Sequence, residues 1–187
     1  MTATLASLDP AAVGRHAIDL VIERLARLAL PLSPGVTLTW RTDGDTDLGL
    51  TVADLTAWAQ SGALGDWEGH EDAADALLTA TEALYRAPLA DGWDAAAAEA
   101  SADVGRETPE DPAALALSCA WSRLRVCRGH DVTLAELARL ASVTSGRVRQ
   151  LVTASEIAAT AGAAREPSTV TAAEARRWLA SRGLRGW

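Results

Sequence analysis

The chain has 187 residues, a formal net charge of −8 and a pI near 4.8, and all 17 of its basic side chains are Arg. Without Lys it can form neither a Walker A phosphate loop nor a lysine Schiff base. The patterns G-x-S-x-G, H-E-x-x-H and C-x-x-C are also missing from the sequence. We therefore expect a protein that is not an enzyme and that needs no cofactor and no metal.

No apolar run in the sequence is long enough to cross a bilayer, and residues 1–10 lack the basic start and apolar core of a signal peptide. These features predict a cytoplasmic protein with no membrane partner. The length suits one domain or two small ones.

The first predicted helix begins at Asp9-Pro10, with Asp as N-cap and Pro in the first turn, and runs to about Leu30, where Pro31 follows. Its broad apolar stripe must be covered by the core of the domain or by another subunit. The stripe consists of Val13, Ala17, Ile18, Val21, Ile22, Leu25, Leu28 and Ala29.

A short β-hairpin is predicted next. Residues 36–40 alternate between apolar and polar side chains, and Asp43-Gly44 offers a turn. The predicted return strand alternates through Leu48, Leu50 and Val52.

The same turn carries Asp43, Asp45 and Asp47, with Asp54 at the twelfth place, a spacing close to that of an EF-hand calcium loop. The sixth place, which needs Gly, is Leu48, and the closing carboxylate is the shorter Asp. An acidic, solvated turn is therefore the favoured interpretation.

Helical spacing returns from Thr51 to about Gly62, again over residues 71–86, and in the Ala-rich stretch 95–102 behind Asp94. The polar stretch 103–112 is the predicted domain boundary. We expect an acidic domain for self-association or partner binding at 1–108 and a DNA-binding domain at 109–187. The second domain would open with a helix from Thr108-Pro109 to about Arg128. Cys119 and Cys127, eight residues apart on this helix, are too distant for a disulfide.

Residues 133–152, TLAELARLASVTSGRVRQLV, have the spacing of two short helices joined by a tight turn. Thr133 and Glu136 form a capping box that begins the first helix, and Thr144 or Ser145 caps the second. The apolar positions are Leu134, Leu137, Ala138, Ala141, Val148 and Leu151.

This segment resembles the helix-turn-helix motif of DNA-binding proteins of the repressor and Cro type. Ala138 matches the small residue where the two helices approach most closely. Ser142 stands where the family usually has Gly, and a left-handed turn residue costs Ser more than Gly. The resemblance covers 20 of the 187 residues. It implies that the second helix enters the major groove of duplex DNA.

Two interpretations remain for the residues behind the motif. Residues 156–160 and 165–170 can form a hairpin around Gly162, where a winged helix-turn-helix carries its wing. Alternatively, the Ala-rich residues 158–164 form a helix. Thr171 and Glu174 then form a second capping box, which starts a helix to Gly183. We expect Trp178 to lock this helix onto the motif and four Arg to extend the basic surface: Arg176, Arg177, Arg182 and Arg185.

Charge divides the chain unevenly. Residues 1–112 contain 6 Arg and 20 acidic residues, a balance of −14, whereas residues 113–187 contain 11 Arg and 5 acidic residues, a balance of +6. The two balances reproduce the total of −8. The basic part coincides with the motif, as a phosphate-binding face requires. Arg123, Arg125 and Arg128 are expected to add positive charge just before it.

The candidate DNA-binding residues follow from the motif. On the second helix, exposed side chains would meet base edges, because Arg can pair with guanine and Gln with adenine, while Gly allows close approach. Two Thr at helix N-termini and an Arg on the outer side of the first helix would meet phosphates, and an Arg of the wing would meet a phosphate or the minor groove. The recognition-helix candidates are Ser145, Gly146, Arg147, Arg149, Gln150 and Thr153, and the others are Thr133, Thr144, Arg139 and Arg165.

Together these features predict a mainly α protein: an acidic helical N-terminal domain with a small β-hairpin, then a C-terminal helix-turn-helix domain, winged or not. The predicted function is sequence-specific binding of double-stranded DNA by a homodimeric transcriptional regulator. A repressor is favoured over an activator. Two alternatives stay open. One is a DNA-binding protein of plasmid partition or phage packaging. The other is an adaptor that binds a protein partner through its acidic half.

Overall fold

The computed structural model describes residues 4–32, 47–62, 70–86, 111–162, 167–184 and 186–187. It is mainly helical. A 3-10 turn at Leu5–Ser7 precedes seven α-helices and two short strands in the described residues. They are α1 (Pro10–Leu32), α2 (Asp47–Ser61), α3 (His70–Arg86), α4 (Pro112–Cys127), β1 (Val132–Thr133), α5 (Leu134–Leu140), α6 (Ser145–Thr153), β2 (Thr169–Val170) and α7 (Ala172–Ser181).

Helix α4 is the central element of the fold. Twelve of its 16 residues are buried, so apolar side chains cover most of its circumference. It packs against α1, α2, α3, α5 and α7. A helix that is apolar all round must lie inside the protein. Consequently one cluster of buried side chains joins elements from both parts of the chain.

Helices α1 and α2 pack closely because glycines face each other. A Cβ atom added at Gly14 would overlap the carbonyl oxygen of Gly49, and one added at Gly49 would overlap the side chain of Ile18. Gly normally weakens a helix interior. Here two of them let the helix backbones approach, and the packing offsets that cost.

Polar contacts connect the N-terminal helices to the rest of the chain. The Nε2 group of Gln60, near the end of α2, donates to the carbonyl oxygens of Leu5 and Leu8, at 2.8 Å each. On α1, the Nε2 atom of His16 lies 3.0 Å from a carboxylate oxygen of Asp111, the N-cap of α4. These contacts fix the 3-10 turn on α2 and the start of α4 on α1.

The two strands form a small antiparallel sheet in which Val132 pairs with Val170 and Thr133 with Thr169. An isolated antiparallel bridge adds Thr160 on the same partner, Thr169. In that bridge the two Thr exchange backbone hydrogen bonds of 2.8 and 3.0 Å. The hairpin expected at 156–160 and 165–170 is therefore reduced to one bridge, and residues 158–162 are not helical.

The sequence gives no signal for strand β1. A two-residue strand leaves no alternation to detect, and its partner lies 36 or more positions along the chain.

The predicted return strand of the N-terminal hairpin is wrong. Leu48, Leu50 and Val52 all lie in helix α2, which begins at Asp47. The buried spacing of Val52, Leu55 and Trp58 extends back to the partly buried Leu48, whereas Leu50 lies on the other side of the helix and is 49% exposed. The strand expected at 36–40 and the turn at Asp43-Gly44 lie outside the described residues.

Two other helices lie at their predicted positions or within a few residues of them. Helix α1 matches the expected span of Asp9 to about Leu30, and Asp9 Oδ1 accepts from the backbone N–H of Ala11 at 3.2 Å. Helix α4 begins at Asp111-Pro112 instead of Thr108-Pro109, because the Asp111 side chain accepts from the backbone N–H of Ala114 and caps the helix. The predicted domain boundary and the Ala-rich stretch 95–102 fall mostly outside the described residues.

Within the described ranges, no helix combines the length and the hydropathy needed to cross a membrane. The same part of the chain contains no cluster of three or more His, Cys, Asp or Glu side chains placed to hold a metal ion. Asp54, the expected closing ligand of the EF-hand-like spacing, lies inside helix α2.

Candidate nucleic-acid interface

The connection between α5 and α6 has the geometry of a Schellman motif. The backbone N–H of Val143 donates to the carbonyl oxygen of Ala138, and that of Ser142 donates to Arg139, both at 3.0 Å. This pattern needs a left-handed residue after the helix, and Ser142 adopts a φ of 53°. The left-handed turn expected at Ser142 is confirmed. Helix α6 then starts where the hydroxyl of Thr144 accepts from the backbone N–H of Arg147.

Helix α5 begins with the predicted capping box. The hydroxyl of Thr133 accepts from the backbone N–H of Glu136 at 3.2 Å, and a Glu136 carboxylate oxygen accepts from the backbone N–H of Thr133 at 2.6 Å. Glu136 is only 2% exposed, and its other oxygen lies 2.8 Å from the Arg125 guanidinium. The ion pair between Arg125 of α4 and Glu136 thus holds the first turn of α5 on α4.

Helix α6 has one buried and one exposed face. Val148 and Leu151 are buried, as predicted, and α6 packs against α5 through them. The opposite face is exposed and polar and bears Arg147, Arg149, Gln150 and Thr153. Gly146 lies beside this face, and a Cβ atom added there would meet only the Thr144 hydroxyl, at 3.8 Å.

Two expected contact residues are not on the surface. Ser145, predicted to be exposed, is only 5% exposed, because it lies three residues before Val148 on the inner face of α6. Arg139, predicted on the outer side of α5, is only 4% exposed. Residues 136–140 of this short helix are all buried, so α5 has little outer side.

The remaining candidates stand as follows. Thr133 is partly buried and Thr144 is exposed, and each uses its hydroxyl as a helix cap. Arg165 lies outside the described residues.

Most basic side chains near the motif are engaged within the fold. Arg125 pairs with Glu136, and Arg128 lies 3.0 Å from Asp75 of α3. On α7, the Nη2 group of Arg176 donates to the carbonyl oxygens of Val126 and Cys127 at the end of α4. The predicted basic surface is therefore only partly right, because Arg125 and Arg128 pair with carboxylates and carbonyl oxygens hold Arg176. Arg185 lies outside the described residues.

Arg182 and Trp178 form a further contact on α7. The Arg182 guanidinium lies 5.2 Å from the ring centroid of Trp178, which is buried. Helix α7 packs against α4. Trp178 is thus buried as expected, but the main helix partner of α7 is α4 and not the motif onto which Trp178 was expected to lock it.

Among the basic side chains that the structure describes, Arg123 is the most deeply buried and is only 1% exposed. Its guanidinium lies 4.1 Å from the ring centroid of Trp187 and 5.8 Å from that of Trp58. It donates to the carbonyl oxygens of Ala59 and Gly186. Burial lowers the pKa of Arg123 to about 10, which leaves it charged at neutral pH. Arg123 was expected to add charge to the basic surface; that prediction is wrong, because Arg123 lies on the buried side of α4.

By contrast, Arg147 and Arg149 have no ion pair within the described residues. Of the Arg side chains on α5 and α6, these two are the exposed ones. The Nη1 group of Arg147 lies 3.4 Å from the amide oxygen of Gln150, a weak contact within the same face. The positive charge of the candidate interface is therefore concentrated on α6.

The two thiols are free and sit apart from this face. Burial raises the pKa of the Cys119 thiol to about 12, and the positive charge of the nearby Arg139 offsets only part of this rise. Burial also raises the pKa of Cys127, which is partly buried. Neither thiol is a reactive thiolate at neutral pH.

Comparison of the chain with models of known protein families, with curated proteins and with solved structures finds no match.

Proposed function

We propose that the chain is a sequence-specific binder of double-stranded DNA and that α6 is its recognition helix. The observation that carries this proposal is the polar face of α6, where Arg147, Arg149 and Gln150 point away from the buried Val148 and Leu151. Arg pairs bidentately with guanine and Gln with adenine in the major groove. Thr144 at the N-terminus of the helix is exposed and suited to a phosphate.

The arrangement of α5 and α6 supports this role. The Schellman turn at Ser142 and the small Ala138 let the two short helices pack closely, while the outer face of α6 stays free for a groove. Strand β2 lies between β1 and Thr160, so the chain behind α6 returns to the start of α5. We infer from this order a winged form of the helix-turn-helix, with the wing between Thr160 and Thr169.

We further propose that two copies act together as a transcriptional repressor, with the acidic N-terminal helices as the contact between copies or with a protein partner. The two exposed Arg on α6 would meet bases, so one copy of a chain of net charge −8 offers few phosphate contacts. A dimer doubles them and spaces two recognition helices one turn of DNA apart.

The test is selection of bound sites from a random duplex pool, followed by affinity measurement at defined salt concentration. We expect a palindrome with half-sites about 34 Å apart. Arg147→Ala and Arg149→Ala should each weaken binding to the selected site by about 1–3 kcal/mol and relax the preference at one base pair. The matched control is Arg182→Ala, which removes the same charge from an exposed position at the end of α7, outside the helices proposed to join the copies.

If the whole chain binds no duplex at low salt, the DNA-binding proposal is wrong. If Arg182→Ala weakens binding as much as the α6 variants do, general charge accounts for the affinity, and α6 is not the recognition helix.

A further inference from the structure

Glu174, on the first turn of α7, holds the segment that follows α6. Its Oε1 atom accepts from the backbone N–H of Ala158 at 3.0 Å. Both carboxylate oxygens also accept from Arg177, at 2.6 and 2.7 Å. The Nη2 group of Arg177 in turn donates to the carbonyl oxygen of Glu156 at 3.1 Å. The two side chains thus clamp residues 156–158 onto α7.

This use of Glu174 differs from the capping box that the sequence predicts. Thr171 does accept from the backbone N–H of Glu174, at 3.3 Å, so one half of the box is present. The carboxylate, however, is directed to Ala158 and Arg177. Helix α7 therefore keeps its hydroxyl cap, while its acidic side chain is available for a contact 16 residues earlier in the chain.

The clamped segment is short and directly continues the recognition helix. Helix α6 ends in a second Schellman motif, in which Ser155 has a φ of 60° and the N–H of Glu156 donates to Leu151. Ile157, between the two clamped residues, is only 1% exposed. Two residues after Ala158, Thr160 joins β2. A change in the direction of α6 would have to break the clamp, expose Ile157 or do both.

We propose that Glu174 and Arg177 are positioning residues for DNA recognition: they fix the C-terminal end of α6, and with it the angle at which its polar face meets the duplex. This inference rests on the proposed function. Ser142 and its turn hold the other end of the helix, so the clamp completes a support at both ends. A recognition helix loses affinity when its side chains miss the base edges by about 1 Å, which is why such support matters.

The charge of the clamp agrees with this role. Hydrogen bonds from Arg177 and from Ala158 lower the pKa of Glu174 to about 2. The carboxylate is therefore ionised at neutral pH and attracts its donors fully. An ionised carboxylate close to DNA would by itself repel phosphates, so a net benefit to binding must come from positioning.

The experiment uses the full chain with Glu174→Ala and Glu174→Gln, with Glu156→Gln as the control. Glu156 is exposed, takes part in the clamp only through its backbone carbonyl oxygen and shows no side-chain contact in the described residues, so its substitution removes the same charge and keeps the hydrogen bonds of the clamp. Two readouts are needed: hydrogen exchange of the Ala158 amide in the free protein, and affinity for the selected duplex.

We expect Glu174→Ala to speed exchange at Ala158 about tenfold or more while amides of α4 keep their protection. We also expect it to weaken specific duplex binding about tenfold, although the loss of a negative charge favours binding to any DNA. Glu174→Gln, which keeps one acceptor oxygen, should lie between. Glu156→Gln should bind as tightly as the wild type or more tightly.

The inference is overturned if Glu174→Ala binds the selected site as tightly as Glu156→Gln does, or if exchange at Ala158 is unchanged. If the wild type binds no duplex, both the proposed function and the positioning role fail. Faster exchange at Ala158 would then show the clamp as a structural contact only, so the two failures can be told apart.

Discussion

The hydroxyl oxygen of Ser142 accepts a hydrogen bond of 3.1 Å from the backbone N–H of Ala6, 136 positions earlier in the chain. Ser142 is the left-handed residue of the turn between α5 and α6, and Ala6 lies in the 3-10 turn that Gln60 fixes to α2. The turn of the candidate DNA reader is thereby tied to the N-terminal helices. Gly, which is usual at this position in the helix-turn-helix family, could not make this contact.

This relationship predicts an ordering of substitutions at Ser142. Ser142→Gly removes the cost of a left-handed non-Gly residue, about 1 kcal/mol, and loses a hydrogen bond worth about the same, so stability should change little. Ser142→Ala keeps the cost and loses the bond, so it should lower the free energy of unfolding by about 1 kcal/mol. Urea denaturation of both variants measures the difference. Equal stabilities of the Gly and Ala variants would contradict the strain argument.

Arg123 should be intolerant of conservative replacement. Lys cannot donate to the carbonyl oxygens of Ala59 and Gly186 in the same geometry and cannot stack on Trp187 as a planar group. We expect Arg123→Lys to lower the free energy of unfolding by about 2–4 kcal/mol, since a buried charge loses its partners. The control is Arg182→Lys at the exposed Arg182–Trp178 contact, where the loss should stay below about 1 kcal/mol. Similar losses in the two variants would mean that burial adds nothing at Arg123.

Gly14 should not accept a methyl group. Gly14→Ala places a Cβ against the carbonyl oxygen of Gly49, which as backbone can move only with its helix. Despite the better helix propensity of Ala, we expect a loss of about 1–3 kcal/mol from overpacking. Gly146→Ala is the matched control, because its Cβ meets nothing closer than 3.8 Å and should leave stability unchanged or raise it by up to about 1 kcal/mol. Thermal unfolding of both variants checks the contrast, and a stabilised Gly14→Ala would show that α1 and α2 can separate without loss.

Acid should remove the contribution of Glu174. Hydrogen bonds from Arg177 and Ala158 lower its pKa in the folded protein from the ordinary 4.5 to about 2. Since the folded form binds this proton less readily, the contribution is complete above about pH 4.5 and disappears as the pH falls towards 2. The stability difference between the wild type and Glu174→Gln should therefore shrink over this range, as measured by urea denaturation at several pH values. A difference that stays constant from pH 7 to pH 2.5 would exclude the ionised carboxylate as its source.

Local signals in the sequence predicted much of the fold. The spacing of Val148 and Leu151 identified the buried face of α6, and the position of Ser142 in the motif identified its left-handed residue. The pairs Thr133–Glu136 and Thr171–Glu174 marked the starts of α5 and α7. Each of these features depends on residues within about four positions of one another, where periodicity and capping act.

The candidate site could be predicted only in part. Arg147, Arg149, Gln150 and Thr153 are exposed as expected, because they lie opposite a buried stripe on the same helix. The burial of Arg139 could not be predicted, because other helices bury α5 and the sequence of α5 alone does not show which segments pack around it. The same limit applied to Leu48, Leu50 and Val52, because three alternating residues are too few to distinguish a strand from a helix.

The sequence by itself therefore determined most of the helices, several of their caps and the charge that each part of the chain carries. Only the tertiary structure decided where that charge is used: Arg123 against Trp187, Arg176 at the end of α4, Glu174 on the segment behind α6. The reason is physical. Helix periodicity and capping depend on near neighbours, whereas the partner of a charged side chain depends on which distant segments pack beside it.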